Sequence, residues 1–309
     1  MKNRVALLLL TCVGLGSPAT ARAQAADQWL AQPVDDRTFK TYLEFFTYDA
    51  KLPLDVRVSK AEDDEGLRRE RLSFQSTPGV RVTAVFWQAA GPATGKKPTV
   101  IFLHGGNPAG KDGVGVVNTA KLFARAGFSV LAIDLPHYGE RTTELLTTFA
   151  EQEKHDRLYN QPSMYLGWVT QIAKDVSRSY DLLVEQRGAD PARVALVGNS
   201  RGAIVASIAG AIDRRLSAVA LLFAGHFDAL ENNHLGAACP ANYIGRIAPR
   251  PLLMINGTQD SDMIKDRAVE PLFKVAKQPK QIIWTDGGHG FMTEDHRAAM
   301  LQWLRDKMK

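Results

Sequence analysis

Arg193-Val-Ala-Leu-Val-Gly-Asn-Ser-Arg-Gly-Ala-Ile-Val-Ala-Ser-Ile-Ala-Gly210 is the stretch that decides how this chain folds. Four apolar residues, 194–197, lead into Gly198, and small and apolar residues typical of a helix follow Gly202. Ser200 stands midway between the two glycines. A Gly-x-Ser-x-Gly pattern between a strand and a helix predicts a nucleophile elbow, a sharp turn that exposes a serine hydroxyl above a sheet.

The turn requires glycine at both positions of this pattern for a physical reason. A serine at such a turn adopts a strained backbone conformation, and side chains two residues before and after it would collide. Because a helix begins at the turn, backbone N–H groups and the positive end of the helix dipole would face the reacting oxygen. The alternative is an ordinary turn around a serine, since the five-residue pattern alone occurs by chance. The strand and helix that flank it favour the elbow.

The N-terminus predicts a secretory signal peptide over residues 1–25. Lys2 and Arg4 precede an apolar run over 5–15, and a cleavage site of small residues ends at Ala25. The run is too short to span a membrane. Cleavage would remove Lys2, Arg4 and Arg22 and lower the net charge from +5 to +2. No dense block of Lys and Arg with interleaved aromatic residues is present, so nothing predicts nucleic-acid binding.

The rest of the composition is that of an ordinary globular protein, with 45% apolar and 23% charged residues among 309. Cleavage would leave Cys239 as the one thiol, which excludes an internal disulfide. We therefore expect an exported enzyme, periplasmic or secreted, that relies on its hydrophobic core. The sequence does not indicate an oligomeric state.

The pattern of elements predicts an N-terminal segment, residues 26–70, and a main domain, residues 71–309. The segment is too short for a core of its own, and we expect it to pack on the main domain through Tyr42, Phe45, Phe46 and Tyr48. A Pro78-Gly79 turn joins two expected antiparallel strands, 71–75 and 80–88. Strands are expected further on at 99–103, 129–135, 194–197, 217–223, 251–255 and 281–284, and helices at 118–126, 164–186 and 294–307.

This alternation of strands and helices predicts an α/β fold, a mostly parallel, doubly wound sheet with helices on both faces. Two stretches interrupt it, residues 142–163 and residues 225–248. Each follows the carboxyl end of a strand, where ligands bind on such sheets. They are therefore the predicted lid insertions and walls of a substrate pocket.

A serine hydroxyl becomes a nucleophile when a histidine, held by a carboxylate, takes its proton. On a sheet with a nucleophile elbow, the chain order is serine, acid, histidine. The strand before Gly257 runs into Asp260 and Asp262, and the strand over 281–284 runs into His289, which glycines flank. His289 is thus the predicted base. Either aspartate could be the acid, and the Gly-x-x-Asp spacing from Gly257 favours Asp260.

Besides His289 and His104, five histidines follow the proposed signal peptide. They are interpreted as surface or pocket-wall residues: His137, His155, His226, His234 and, as a solvent-facing helix residue, His296. Their spacing does not predict a metal site. Neither a metal nor a cofactor is therefore expected.

A tetrahedral oxyanion needs backbone donors. One should be the N–H of the residue after the nucleophile, Arg201, and the other should come from the loop after the strand over 99–103. That loop contains Gly105 and Gly106, and we select Gly106, although a plain glycine turn is the alternative. The side chain of Arg201 could pair with an acidic residue or attract an anionic substrate.

Taken together, these motifs resemble the α/β-hydrolase superfamily and look like its dienelactone-hydrolase and acetyl-xylan-esterase-like group. The resemblance covers residues 71–309 and is carried by His104-Gly-Gly106, Asp134-Leu-Pro-His-Tyr-Gly-Glu-Arg141, Asp190-Pro-Ala-Arg-Val-Ala-Leu-Val-Gly-Asn-Ser-Arg-Gly202, Ile247-Ala-Pro-Arg-Pro-Leu-Leu-Met-Ile-Asn-Gly257 and Gly287-Gly-His-Gly-Phe291. It implies a Ser-Asp-His hydrolase without a cofactor. Two positions depart from the pattern: Ala203 replaces a frequent glycine, and Ser200 stands where dienelactone hydrolases proper have cysteine, which favours an esterase.

The sequence therefore predicts a serine esterase that acts on small or polymeric carboxylic esters. One alternative is a peptidase of the prolyl-oligopeptidase type. Such enzymes usually carry a large N-terminal propeller, for which the segment before residue 71 is too short. A second alternative is a binding protein without catalytic activity on the same fold.

Overall fold

The computed structural model describes residues 27–91, 95–144 and 151–309. The predicted signal peptide, residues 1–25, lies outside the described residues. In those three ranges, no helix is both long enough and apolar enough to cross a membrane.

The strands of the described chain form one sheet in the order β1-β2-β3-β5-β4-β6-β7-β8-β9. The first three strands are antiparallel, β3 is antiparallel to β5, and all later neighbours are parallel. The mostly parallel sheet that the sequence predicted is confirmed. The strands are Arg57–Asp64 (β1), Leu67–Thr77 (β2), Val80–Ala89 (β3), Lys97–Leu103 (β4), Ser129–Ile133 (β5), Ala189–Asn199 (β6), Ala218–Leu222 (β7), Leu252–Gly257 (β8) and Lys280–Thr285 (β9).

Helices cover both faces of this sheet, as predicted. They are Gln28–Ala31 (α1), Asp36–Leu43 (α2), Val114–Arg125 (α3), Glu151–Lys154 (α4), Pro162–Gln186 (α5), Arg201–Ile212 (α6), Ala241–Ile244 (α7), Glu270–Val275 (α8) and Glu294–Lys307 (α9). On one face, α3 and α9 bury Phe123 and Trp303. On the other face, α5 and α6 bury Ile172 and Ile204. Strands β5, β7 and β8 are buried along their whole length, as expected for strands covered on both sides.

The predicted boundary between residues 70 and 71 lies inside strand β2, and this is a correction. Strand β1 pairs with β2 antiparallel, so residues 57–70 belong to the sheet. This strand was not predicted because its residues, Arg57-Val-Ser-Lys-Ala-Glu-Asp-Asp64, do not alternate between apolar and polar. It forms the edge of the sheet, where charged side chains oppose pairing with another chain.

The residues before β1 pack on the main domain, with one exception to the expected contacts. Phe46 is buried in the core, and Tyr42 packs against the core. The hydroxyl of Tyr48 donates to Asp181 Oδ1 at 3.4 Å. Phe45, which we expected to pack, is instead 46% exposed.

Candidate active site

The turn at Ser200 has the strained geometry of a nucleophile elbow. Ser200 has φ +50° and ψ −120°, and helix α6 begins at the next residue. A Cβ atom on Gly198 would lie 2.5 Å from the carbonyl oxygen of Gly202. One on Gly202 would lie 2.3 Å from the carbonyl oxygen of His104. Side chains at both positions are thus excluded by backbone atoms that cannot move aside.

The loops after β8 and β9 bring Asp260 and His289 to Ser200. His289 Nε2 lies 2.8 Å from Ser200 Oγ, and its Nδ1 lies 2.8 Å from Asp260 Oδ2. The carboxylate faces Nδ1, so this nitrogen carries the proton and Nε2 is free to accept the serine hydroxyl. The structure therefore joins the three side chains in one chain of hydrogen bonds.

Asp260, and not Asp262, contacts the imidazole. The other oxygen of Asp260 accepts the backbone N–H groups of Asp262 and Met263, each at 2.9 Å. Its side chain is buried, whereas Asp262 is exposed and accepts a hydrogen bond from Ser261. The two aspartates that the sequence left open thus differ in orientation, and only Asp260 can hold the histidine ring.

Burial and the Asp260–His289 contact set the protonation of the pair. Burial by itself would lower the pKa of His289, but the hydrogen bond and the charge of Asp260 outweigh it and raise this pKa above its ordinary value. Burial would likewise raise the pKa of Asp260, and the hydrogen bond from His289 holds it below its ordinary value. The carboxylate is therefore ionised and stabilises a positive imidazolium.

The two predicted oxyanion donors lie beside the serine. Gly106 and Arg201 both line the cleft that contains Ser200 and His289. The amide of Arg201 belongs to the first turn of α6, where backbone N–H groups have no partner within the helix. Gly105 packs against the elbow, since a Cβ on it would lie 3.1 Å from Ser200 Cβ.

His104 holds the Gly105-Gly106 loop, a role that the sequence did not reveal. Its ring is fully buried, and its Nε2 accepts the backbone N–H of Leu135 at 3.0 Å. Nδ1 therefore carries the proton and donates to the carbonyl oxygen of Gly105 at 2.6 Å. A neutral ring is required for both bonds, and burial lowers the pKa of His104 accordingly. A histidine at the end of an apolar strand is the only signal that could have indicated this.

The side chain of Arg201 pairs with acidic residues, one of the two roles the sequence allowed. It is buried and donates to Asp228 at 2.5 Å and to Glu231. Its guanidinium also lies 3.8 Å from the centre of the Tyr159 ring. Tyr159 belongs to the first predicted insertion, and Asp228 and Glu231 belong to the second. The side chain of Arg201 therefore contacts both insertions.

The cleft above Ser200 has a volume of about 950 Å³. Both predicted insertions supply parts of its wall, His155 and Tyr159 from one and residues 228–230 from the other. Residues 145–150 of the first insertion lie outside the described residues. Apolar and polar side chains both line the cleft, and an open cleft of this kind can admit an ester of moderate size.

Two histidines interpreted as surface or pocket-wall residues lie elsewhere. His226 and His234 are largely buried and contact Asp27, and neither lines the cleft. His296 is half-buried and caps helix α9 together with Thr293 rather than facing solvent freely. Arg141 binds the buried Asp175 at 2.8 Å, and Asp134 accepts from Lys111, so both have structural partners.

The comparisons with known proteins agree with this architecture. The sequence profile of a family described as the alpha/beta hydrolase family matches residues 100–244. An acetyl xylan esterase from Paenibacillus sp. R4 has a similar structure, with a TM-score of 0.67 and 14% identity over 91% of this chain and 98% of that chain. A cold-adapted esterase from an Arctic intertidal metagenomic library, solved with bound PEG, gives a TM-score of 0.63 and 20% identity over 81% and 98% of the two chains. No curated protein matches the sequence.

Proposed function

The chain has the α/β-hydrolase fold, and on this fold we propose that it is a serine hydrolase that cleaves carboxylic esters through an acyl-enzyme. The observation that carries the proposal is the hydrogen-bonded series Ser200–His289–Asp260 at the carboxyl edge of the sheet. Each of the three side chains comes from a different loop. The stability of the fold does not require these polar side chains to be in contact, whereas nucleophilic catalysis does.

Acylation follows from the positions of the atoms. His289 Nε2 takes the proton from Ser200 Oγ while this oxygen attacks the ester carbonyl carbon. The negative charge that develops on the carbonyl oxygen is stabilised by the N–H groups of Gly106 and Arg201. Asp260 stabilises the imidazolium, which then gives its proton to the leaving alcohol.

Deacylation repeats these steps with water. His289, neutral again, removes a proton from a water molecule that attacks the acyl carbon. The same two amides hold the second oxyanion, and the proton on His289 returns to Ser200 Oγ as the acid leaves. Besides the ester and this water molecule, both halves of the reaction use groups of the chain alone.

Hydrolysis of p-nitrophenyl acetate tests the proposal. We expect Ser200→Ala to reduce kcat by about 10³-fold or more, since the loss of a triad nucleophile costs this much or more. Ser261→Ala is the matched control, because Ser261 lies exposed in the loop that carries the acid and should keep full activity. Equal rates in wild type and Ser200→Ala would refute the proposal.

Two further measurements separate the rival functions. A fluorophosphonate probe should label wild type and not Ser200→Ala, and failure to label wild type would favour a binding protein without activity. An aminoacyl-amide substrate cleaved faster than the matching ester would favour a peptidase. Acetylated sugars, aryl esters and polyesters of different acyl length then define specificity, and acetylated xylan is included because similar structures are named acetyl xylan esterases.

We also propose that the protein is exported. The supporting observation is the charged, apolar and small-residue sequence of residues 1–25. Secreted or periplasmic material should begin at Ala26 when its N-terminus is sequenced. Full-length protein confined to the cytoplasm would refute this.

A further inference from the structure

A second cluster of reactive side chains lies outside the cleft. It consists of Asp27, His226, His234 and Cys239, which we call the Asp-His-His-Cys cluster. Asp27 Oδ2 lies 2.8 Å from Nε2 of His226 and 2.7 Å from Nε2 of His234. The Sγ of Cys239 lies 3.9 Å from the same nitrogen of His226. One ligand atom from each residue falls within 4.8 Å of all the others.

From this arrangement, we propose that the Asp-His-His-Cys cluster is a structural zinc site. Zinc binds cysteine sulfur, histidine nitrogen and carboxylate oxygen, and its structural sites have four protein ligands in a tetrahedron. Tetrahedral bonds of about 2.0–2.1 Å to nitrogen and oxygen and about 2.3 Å to sulfur place N and O ligand atoms roughly 3.3 Å apart and a sulfur roughly 3.6 Å from a nitrogen. The Sγ–Nε2 distance of 3.9 Å would shorten slightly, and Asp27 would withdraw its oxygen by about half an ångström from each ring.

Hydrogen bonds can satisfy the carboxylate of Asp27 and the Nε2 atoms of both rings, but not the thiol of Cys239 at the same time. If His226 Nε2 carries a proton and donates it to Asp27, this nitrogen cannot accept the thiol hydrogen of Cys239. If it accepts the thiol hydrogen instead, its contact with the carboxylate places a lone pair against an anion. A zinc ion would use all four atoms at once, each as a donor of an electron pair to one cation.

The charges of the cluster fit a divalent cation. Asp27 supplies one negative charge. Cys239 would supply a second charge when zinc displaces the thiol proton. Two neutral imidazoles complete the set, so a bound Zn²⁺ makes this buried site neutral.

Contacts outside the cluster orient two of its four ligands, Asp27 and Cys239. The other oxygen of Asp27 accepts the backbone N–H of Trp29 at 2.9 Å. The backbone N–H groups of Ala241 and Asn242 form hydrogen bonds with the sulfur of Cys239. Such outer contacts are characteristic of metal ligands. Cys239 is fully buried, so its thiol is not accessible as an isolated reactive group.

The position of the site gives it a structural role. Asp27 lies at the start of the described chain, and the other three ligands lie in the second insertion, residues 225–248. The same insertion provides Asp228, Ala229 and Leu230 to the wall of the cleft. Zinc would therefore fasten the N-terminal segment to this wall and hold the wall in place.

Metal content and cobalt spectroscopy test the site. The full mature chain, purified through a tag without histidine, is incubated with zinc chloride, passed through a gel-filtration column and analysed by mass spectrometry for zinc. We expect about one zinc per chain in wild type, and less than about a tenth of that in Cys239→Ser and in His234→Gln. His296→Gln is the matched control and should keep its zinc, since it also removes one histidine.

Wild type loaded with cobalt chloride should show the near-ultraviolet band of a thiolate bound to Co²⁺. This measurement needs no variant and decides the question even if Cys239→Ser fails to fold. Ser200→Ala should bind zinc as wild type does, which makes the site independent of the proposed esterase activity. Wild type that holds no more zinc than Cys239→Ser, or a cobalt complex without the thiolate band, would overturn the proposal.

Discussion

The guanidinium of Arg201 lies 3.8 Å from the centre of the Tyr159 ring, directly beside the candidate nucleophile. The same guanidinium binds Asp228 and Glu231. Tyr159 in turn shares a hydrogen bond of 2.7 Å with the hydroxyl of Tyr138. One residue of the elbow thus combines the backbone N–H that we propose for the oxyanion with a side chain that joins two walls of the cleft.

Arg201→Lys should weaken substrate binding more than it weakens the chemistry. Lysine keeps the backbone N–H and the charge but cannot bind two carboxylates in a fork or stack on an aromatic ring. We expect KM for a bulky ester to rise about tenfold, with a smaller change in kcat for p-nitrophenyl acetate, and stability to fall by about 1–3 kcal/mol. Steady-state kinetics with both esters, together with urea denaturation, provide the measurement.

Arg215→Lys is the control for this prediction. Arg215 also binds two acids, Asp181 and Asp213, and lies 4.2 Å from the centre of the Tyr180 ring, but it does not line the cleft. Its substitution should lower stability without altering KM. An unchanged KM in Arg201→Lys would show that the contacts of the Arg201 side chain with the two walls do not shape the cleft.

The sequence predicted the elbow and the three side chains that meet there because each depends on local information. Gly198 and Gly202 are required by backbone contacts, and the order of Ser200, Asp260 and His289 follows from the order of the strands. The distinction between Asp260 and Asp262 needed the structure, because it depends on which carboxylate the loop turns inward.

Other features depend on contacts between residues far apart in the chain. Asp27 and His226 are 199 positions apart, and no spacing in the sequence could bring them together. His104 and Arg201 look like ordinary polar residues until their buried partners are known. Strand β1 was missed because an exposed edge strand does not need an apolar face.

The pH dependence of hydrolysis should reflect the Asp260–His289 pair. Only neutral His289 can accept a proton, so kcat/KM should rise with pH as this residue deprotonates. Asp260 raises the pKa of His289, so the rise should occur above pH 6.5, the ordinary pKa of histidine. Asp260→Asn should shift the rise to lower pH and reduce kcat by about 10⁴-fold.

Asp262→Asn is the matched control for this profile. It removes a carboxylate that makes no hydrogen bond to the imidazole; its charge contributes to the raised pKa of His289, so the rise should move to slightly lower pH while kcat stays within about threefold of wild type. A larger loss of kcat in Asp262→Asn than in Asp260→Asn would contradict the assignment of the acid.

Glu231 should make the protein less stable as pH rises. Burial, together with the charge of Asp228, raises the pKa of Glu231 to about 7 although Arg201 opposes this. Between its ordinary pKa of about 4.3 and pH 7, the folded state binds more protons at Glu231 than the unfolded state does. The contribution of this residue to the free energy of unfolding therefore falls as pH rises through this window.

Glu231→Gln should remove that dependence. Relative to the variant, wild type should lose about 3 kcal/mol of stability between pH 4.5 and pH 8, as measured by urea denaturation at each pH. Glu270→Gln, which alters an exposed carboxylate, should follow wild type. A constant difference between wild type and Glu231→Gln across this range would contradict the prediction.

Gly202→Ala should disrupt the elbow, since its Cβ would lie 2.3 Å from the carbonyl oxygen of His104 and 2.6 Å from that of Leu103. Strand β4 would have to move away from helix α6, which would displace Ser200 and the Gly105-Gly106 loop together. We expect a loss of about 3 kcal/mol or more and hydrolysis reduced at least 100-fold. Gly167→Ala is the control: no atom lies within 4 Å of a Cβ there, it does not line the cleft, and alanine inside helix α5 should stabilise the protein by about 0.5–1 kcal/mol. Wild-type activity and stability in Gly202→Ala would mean that the close approach of the elbow to strand β4 is not required.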